Sequence, residues 1–298
     1  MGIMKTRKNY GIVTLALFTL ISLISISSVM AQSTLRVHYL PPDGELGHET
    51  DYYLDLLRLA LEKTVDSHGP FELVPSAEAT EQVEALRLMR MGGNMDVIPT
   101  MTDRNRERVF IPVRVPLVKG LIGVRLMMIN EDDAGRWNNV RDLEDLKAFT
   151  FGQGRNWPDT QILSASGLNV LPTDGYFELF DILKSRQVDG FPRAAFEIWD
   201  EIDMREGFSV ADGFYIHYPT AMYFFTRRDA EGRDLADRLE AGLNNAINDG
   251  SFDELFNAEM GEFLERSNLN SRRAIRIPNP LIPETLPVDD SRYWYIRP

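Results

Sequence analysis

The stretch LRLMRMGGNMDVIPTMTDRNR, residues 86–106, combines a helix ending, a strand and a run of arginines. Apolar residues at helical spacing predict a helix over Thr80–Met91, and the Gly-Gly pair that follows is a common helix stop. MDVIPTM then predicts a strand. Upstream, Leu35–Leu40 and PFELVPS predict two further strands with a helix between them, beginning near Asp51. This alternation of strands and helices predicts an α/β protein with a parallel sheet covered by helices.

Two later apolar segments predict buried strands. Val115–Asn130 carries only two charges, Lys119 and Arg125, and YIHYPTAMYFFTRR spans residues 215–228. A regular helical pattern from Leu235 ends at Gly250, and the proline-rich segment from Ile277 predicts an extended wrap.

The N-terminus has the pattern of a secretory signal peptide. Three basic residues precede an uncharged, mostly apolar run, Gly11–Val29, and small residues stand before a cleavage site at Ala31-Gln32. An uncleaved membrane anchor is the alternative, because the run approaches the length of a membrane span. The serines within it favour cleavage. The sequence therefore predicts a signal peptide over 1–31 and an exported protein.

Composition excludes several functional classes. The formal net charge is −13, and removing residues 1–31 removes three basic side chains, which leaves −16. Such acidity argues against nucleic acid as a partner, since lysine and arginine drive that binding. The absence of cysteine excludes disulfides and thiol catalysis, and the four histidines show no metal-ligand spacing. No common catalytic or nucleotide-binding motif is complete. We therefore predict neither a cofactor nor a metal.

The turn FGQGRNWPDT, residues 151–160, joins a predicted strand to a predicted helix. Capping by Asp159 or Thr160 would leave backbone N–H groups and the positive end of the helix dipole facing a cleft. Such an end attracts carboxylates and phosphates. Arg155 adds a positive charge and Trp157 a stacking face. Alternatively, Trp157 packs under the turn and Arg155 points to water.

Two more segments predict binding residues at strand ends. TMTDRNRERVF follows the third strand, at the edge where open α/β sheets bind ligands, and its arginines either face a ligand or pair with nearby acids. In FPR, residues 191–193, Arg193 either faces the cleft or pairs with Glu197.

In their order, these elements resemble the type II periplasmic solute-binding proteins, specifically the amino-acid-type family 3. The resemblance covers roughly Leu35 to Ser267. It rests on the exported start, LRLMRMGGNMDV, the arginine run before VFIPVRVPL, DLEDLKAFTFGQG and GLNNAINDGSFDELF. The set GLIGVRL, GQGRNWPDT, FPRAAFEI and NPLIPETLP resembles an uncharacterised branch of exported solute-binding-like proteins.

The resemblance implies a two-lobed α/β fold, with a helix-flanked sheet in each lobe and a ligand held between them. Two crossings between the lobes are expected near Ile122–Gly123 and Ile216–Pro219. The implied domains are a signal peptide over 1–31, a first lobe over 32–122 and 219–285, a second lobe over 123–218, and a tail over 286–298.

The resemblance also implies roles for particular residues. Arg104 or Arg106 would hold the ligand carboxylate, and the spacing leaves that choice open. Phe-Pro-Arg replaces the second-lobe carboxylate that usually takes an amine, which favours an anionic or aromatic ligand. The ligand-binding residues predicted in all are Tyr39, Thr100, Thr102, Arg104, Arg106, Gln153, Arg155, Trp157, Asp159, Thr160, Phe191 and Arg193.

The predicted function is therefore capture of a small polar ligand, anionic or amino-acid-like, by a monomer that serves an inner-membrane ABC permease. The alternative is sensing, in which the same fold reports to a membrane receptor or has an orphan binding role. A third possibility is a dehydratase-like or lyase-like enzyme on this fold, for which Asp159 and Glu197 are the visible acid–base candidates. We expect a binding protein rather than an enzyme.

Overall fold

The computed structural model describes residues 1–2, 33–41, 49–77 and 82–297, without the side chains of residues 49 and 50. The predicted signal peptide thus lies almost entirely outside the described residues. The chain divides into Met1–Gln32 and Ser33–Pro298, and the fold below is that of the second unit. Within the described part, no helix is both long enough and apolar enough to cross a membrane.

Strands and helices alternate through the chain, as the apolar periodicity predicts. The strands of the described residues are β1 Leu35–Tyr39, β2 Phe71–Pro75, β3 Val97–Met101, β4 Ile111–Val113, β5 Val124–Asn130, β6 Thr150–Gly154, β7 Asn169–Thr173, β8 Phe191–Ala194, β9 Phe208–Val210, β10 Phe214–His217, β11 Met222–Thr226 and β12 Arg273–Arg276. The α-helices are α1 Glu49–Glu62, α2 Val65–His68, α3 Gln82–Met91, α4 Arg104–Val109, α5 Ala134–Trp137, α6 Leu143–Leu146, α7 Pro158–Ala165, α8 Tyr176–Lys184, α9 Ile198–Asp203, α10 Ala230–Asp249 and α11 Ser251–Ser267.

The first sheet has the order β2-β1-β3-β11-β4. Its strands β1, β2 and β3 are parallel, and β11 runs antiparallel between β3 and β4. Helices α1 and α10 pack so closely that a Cβ added at Gly242 of α10 would lie 1.9 Å from the Ala60 carbonyl oxygen of α1. The parallel strands that the sequence predicts for this part of the chain are therefore confirmed.

The second sheet has the order β12-β10-β5-β8, with β9 also paired to β5. The parallel pair β6-β7 lies beside it, joined through a bridge from Phe151 to Gly190. Trp137 stacks on Phe149 at a centroid distance of 4.1 Å in the core of this part. The long run Val115–Asn130 becomes a strand only from Val124 onward, after a 3-10 turn at Leu121–Gly123.

Three connections join the two sheets within the described residues, and the longest runs from β11 through α10 and α11 to β12. The two short connections pass from β4 to β5 and from β10 to β11. They touch where Tyr218 N donates to Gly123 O at 3.1 Å. Only glycine fits there, because a Cβ on Gly123 would lie 2.2 Å from the Tyr218 carbonyl oxygen. The crossings thus lie near the positions that the sequence predicts.

The C-terminal segment, residues 277–297, follows β12 and lies against both short connections. Asn279 donates to Pro219 O at 2.8 Å in one connection, and Tyr295 N donates to Lys119 O at 2.9 Å in the other. Trp294 packs on the same stretch, next to Gly120. Strand β12 pairs in the second sheet, although the sequence assigns residues 219–285 to the first lobe. The domain boundaries stay a prediction.

Candidate functional site

A cavity of about 360 Å³ is lined by residues from both sheets. β1, β3 and β11 contribute from the first sheet, while β5, β8 and the turn after β6 contribute from the other side. The lining includes six of the predicted site residues, which are Tyr39, Arg106, Arg155, Trp157, Asp159 and Arg193. Among the described residues it does not include the other six, Thr100, Thr102, Arg104, Gln153, Thr160 and Phe191.

Arg104 and Arg106, two of the three arginines of α4, point in different directions. Asp103 caps this helix by accepting from the backbone N–H groups of Asn105 and Arg106. Arg106 then reaches the cavity, where its Nη1 donates to Met101 O at 2.6 Å. Burial lowers the pKa of Arg106, although Asp103 acts in the opposite direction. Arg104 instead donates to Pro280 O at 2.7 Å, so Arg106 is the arginine that lines the cavity.

The two threonines lie behind the cavity wall and are fully buried. Thr100 donates to Gln82 Oε1 at 3.0 Å, and Gln82 itself lines the cavity. Thr102 donates to Glu107 Oε1 at 2.8 Å. Their hydroxyl groups therefore fix other side chains, and a direct contact with ligand stays a prediction.

The turn after β6 corrects the predicted capping. Trp157, rather than Asp159 or Thr160, is the N-cap residue of α7, and no side chain caps the helix. Pro158 explains this start, since its fixed φ suits the first helical position. Thr160 donates to Gly154 O at 2.7 Å, and the Trp157 ring covers Gly154 so closely that a Cβ there would lie 2.5 Å from it.

Two other residues of this turn have protein partners. Arg155 is exposed and pairs with Asp174 at 2.6 Å on the rim of the cavity. Gln153 is fully buried and donates to Pro192 O at 3.1 Å, while its Oε1 has no partner within the described part of the chain. Both remain predicted site residues.

Arg125 lines the cavity and is the centre of a buried polar cluster. Its Nη2 lies 2.5 Å from Asp159 Oδ1, and its Nε donates to Tyr218 OH at 2.8 Å. Tyr218 OH donates in turn to Asp159, and Arg125 Nη1 lies 3.3 Å from Glu197 Oε2. Burial acts to lower the pKa of Arg125, but Asp159, Tyr218 and Glu197 together raise it, so the guanidinium stays charged.

Arg193 belongs to the same cluster. Its Nη2 lies 2.6 Å from Glu201 Oε1, and its Nη1 lies 3.0 Å from Glu197 Oε2. Burial raises the pKa of Glu201, and Arg193 opposes that rise. Phe191 is fully buried beside Arg193 and stacks on Trp157 at 6.3 Å. The structure thus shows the pairing of Arg193 with Glu197 that the sequence left open, and adds Glu201.

Known proteins resemble the chain in structure. No family model and no curated protein matches it. An ancestral arginine-binding protein bound to arginine is 16% identical, with a TM-score of 0.55 over 78% of this chain and 100% of that one. A probable amino-acid ABC transporter extracellular-binding protein from Bacillus subtilis is 16% identical, with a TM-score of 0.57 over 77% and 98%. The glutamate-bound GluR0 ligand-binding core from Nostoc punctiforme is 13% identical, with a TM-score of 0.52 over 76% and 98%.

The fold is that of two-lobed amino-acid-binding proteins. The predicted α/β architecture is therefore confirmed. Since these neighbours are covered almost completely while about a fifth of this chain is not, the chain carries more residues than the shared fold requires.

Sequence reasoning missed three members of the cluster, Arg125, Tyr218 and Glu201. Arg125 had a signal, because it is one of only two charged residues within the apolar run Val115–Asn130. A charge in a buried strand needs a partner, and its partners here come from other segments. Glu201 had no comparable signal. Within the described residues, no group of three or more His, Cys, Asp or Glu side chains is placed to hold a metal ion.

Proposed function

We propose that this chain is an exported, periplasmic solute-binding protein that captures a small, polar, amino-acid-like molecule between two lobes. It acts as a monomer and delivers the ligand to an ABC permease of the inner membrane. The cavity of about 360 Å³, lined from both sheets and including Arg106 and Arg193, is the observation that carries this proposal. The two short connections between the sheets, β4 to β5 and β10 to β11, would provide the hinge about which such lobes close.

Sensing is the second candidate, and one neighbour favours it. The GluR0 core from Nostoc punctiforme is named as a ligand-binding core in complex with glutamate, and it shares this fold. The neighbours named above are binding proteins and a ligand-binding core rather than enzymes. The acid–base candidates Asp159 and Glu197 each form an ion pair with Arg125, which is suited to holding a shape rather than to moving protons.

The test is a thermal-shift screen of the mature chain against amino acids, dicarboxylates, short peptides and aromatic acids. A ligand that binds the native state raises the melting temperature by mass action. Truncating Arg106 to alanine should weaken a hit by roughly tenfold or more, because a charged hydrogen-bonding group is lost.

Arg104→Ala is the matched control, since Arg104 lies two residues away but outside the cavity lining. Equal weakening by both substitutions, or no hit in any class, would contradict solute capture in this cavity. If a hit is found, ATP hydrolysis by a reconstituted permease distinguishes delivery from sensing. Delivery predicts that loaded protein stimulates hydrolysis more than empty protein.

A further inference from the structure

The cavity continues along one face of the first sheet. Val97, Pro99 and Met101 are alternate residues of β3, so their side chains lie on the same face of the sheet. All three line the cavity, and so do Phe224 and Met222 of β11, which lie opposite Pro99 and Met101 in the register. The residues between them, whose side chains lie on the other face, are absent from the lining within the described part of the chain. From Val97 to Met101 the lined face is about 13 Å long at the usual rise of a strand.

Helix α1 supplies a second apolar side to this part of the cavity. Tyr53, Leu54 and Leu57 line it, and they lie on one side of the helix because residues three and four apart are neighbours. Tyr39 of β1, which pairs with Val97, lines it as well. Among the described residues, no charged side chain of α1, β1, β3 or β11 belongs to the lining. We call this part, lined by α1 and by the shared face of the three strands, the apolar channel.

The charged groups of the cavity lie at one end of the apolar channel or outside it. Arg106 lies at the Met101 end, since its Nη1 donates to Met101 O at 2.6 Å. The other charged lining residues that the structure describes all fall between residues 125 and 197, on the second-sheet side. Two of them, Arg125 and Arg193, already pair with protein carboxylates. A ligand therefore meets charged groups with one part and apolar side chains with the other.

Such a channel favours an apolar group over a polar one. Apolar surface that leaves water gains free energy in proportion to the area buried. A polar group that enters the channel loses its hydrogen bonds with water, and the described residues of α1 and the three strands offer it no charged partner there. Each CH2 group buried in the channel should therefore raise the affinity of a ligand roughly fourfold.

We infer that the apolar channel receives an aliphatic tail of the ligand, while the polar head of the ligand stays in the cleft near Arg106. This inference rests on the proposed solute-binding function and names the chemical class of its ligand. The site selects amphiphilic molecules, with one polar head and an extended apolar tail, over molecules that are polar at both ends.

Titration calorimetry on the mature wild-type protein tests this inference with ligands that differ only in the length of the tail. One series contains L-alanine, L-norvaline, L-norleucine and L-2-aminooctanoate, and a second contains butanoate, hexanoate and octanoate, which lack the amine. In the series whose head group fits the cleft, we expect affinity to rise roughly fourfold for each added CH2 group. L-lysine has the L-norleucine skeleton with a terminal ammonium, and it should bind at least roughly tenfold more weakly than L-norleucine.

An affinity that stays constant or falls with tail length, or tighter binding of L-lysine than of L-norleucine, would overturn this inference. The proposed function would then stand if a polar ligand from the wider screen still binds. Failure of both series and of the wider ligand screen would overturn both.

Two leucines of α1 then locate the tail. Leu54→Asn places an amide in the apolar channel and should weaken the longest ligand roughly tenfold or more, while the affinity of the shortest ligand stays unchanged. Leu59→Asn is the matched control, because Leu59 is also half-buried in α1 but is absent from the lining. It should keep the wild-type dependence on tail length, and equal behaviour of the two variants would overturn the placement of the tail. If Leu54→Asn does not fold, the wild-type series and the comparison with L-lysine still decide.

Discussion

Lowering the pH from 7 to 4 should destabilise this protein partly through one histidine, His217 at the end of β10. Its side chain is only 3% exposed, and its Nδ1 lies 2.8 Å from Arg276 Nη1. Burial first, and then the positive charge of Arg276, lower the pKa of His217 from 6.5 to about 4. The folded protein therefore keeps this imidazole neutral at a pH where the unfolded chain protonates it.

The sign of the effect follows from where the protons bind. Between pH 6.5 and about 4 the unfolded state binds the additional proton, so the contribution of His217 is complete above pH 6.5 and is lost as the pH falls toward 4. One pH unit over this interval is worth about 1.4 kcal/mol. The predicted loss in the free energy of unfolding is therefore about 3 kcal/mol for this side chain.

Urea unfolding followed by tryptophan fluorescence, at pH 7 and pH 4, measures this loss. His217→Gln retains an acceptor for Arg276 but does not titrate, so its loss over the same interval should be smaller than that of wild type by about 3 kcal/mol. His68→Gln is the matched control, because His68 is exposed, and it should behave as wild type. Equal losses in wild type and His217→Gln would refute the reasoning.

Two further predictions concern stability. Gly123→Ala should lower the free energy of unfolding by about 1–3 kcal/mol, because its Cβ would overlap the Tyr218 carbonyl oxygen. Gly261→Ala in α11 meets no atom within 4 Å and should instead raise it by up to about 1 kcal/mol. Urea unfolding measures both variants, and equal effects would contradict the predicted overlap at Gly123. Arg193→Ala should cost about 3–5 kcal/mol in unfolding free energy, since it leaves buried carboxylates unpaired, while exposed Arg155→Ala should cost about 1 kcal/mol or less. A small effect at Arg193 would show that its ion pairs do not stabilise the fold.

The sequence predicts the fold better than the site because the two rest on different information. Apolar periodicity is local, so the strand and helix alternation and the glycine stop after α3 could be read directly. Element boundaries are harder to predict, because side-chain caps fix them: α6 begins at Leu143, where Asp142 accepts from the backbone N–H groups of Glu144 and Asp145.

The site depends on contacts between distant segments. Arg104 and Arg106 both lie in α4, and which of them enters the cavity depends on the tertiary partners of each side chain, Pro280 O for Arg104 and Met101 O for Arg106. A sequence pattern does not show these partners. The partners of Arg193 depend on how α9 packs, since Glu201 lies eight residues further along. Pattern reasoning therefore identified charged residues of the cavity without showing which of those charges are already neutralised.

The C-terminal segment packs against the two short connections between the sheets. Because residues 277–297 leave the second sheet and lie on both connections, any change of angle between the sheets must also slide or stretch this segment. A fluorescent reporter attached after residue 297 would consequently sit beside the pivot and not on a remote tail. The same end of the chain is then a natural place from which to read opening and closing, and an unsafe one to trim when preparing a minimal binding module.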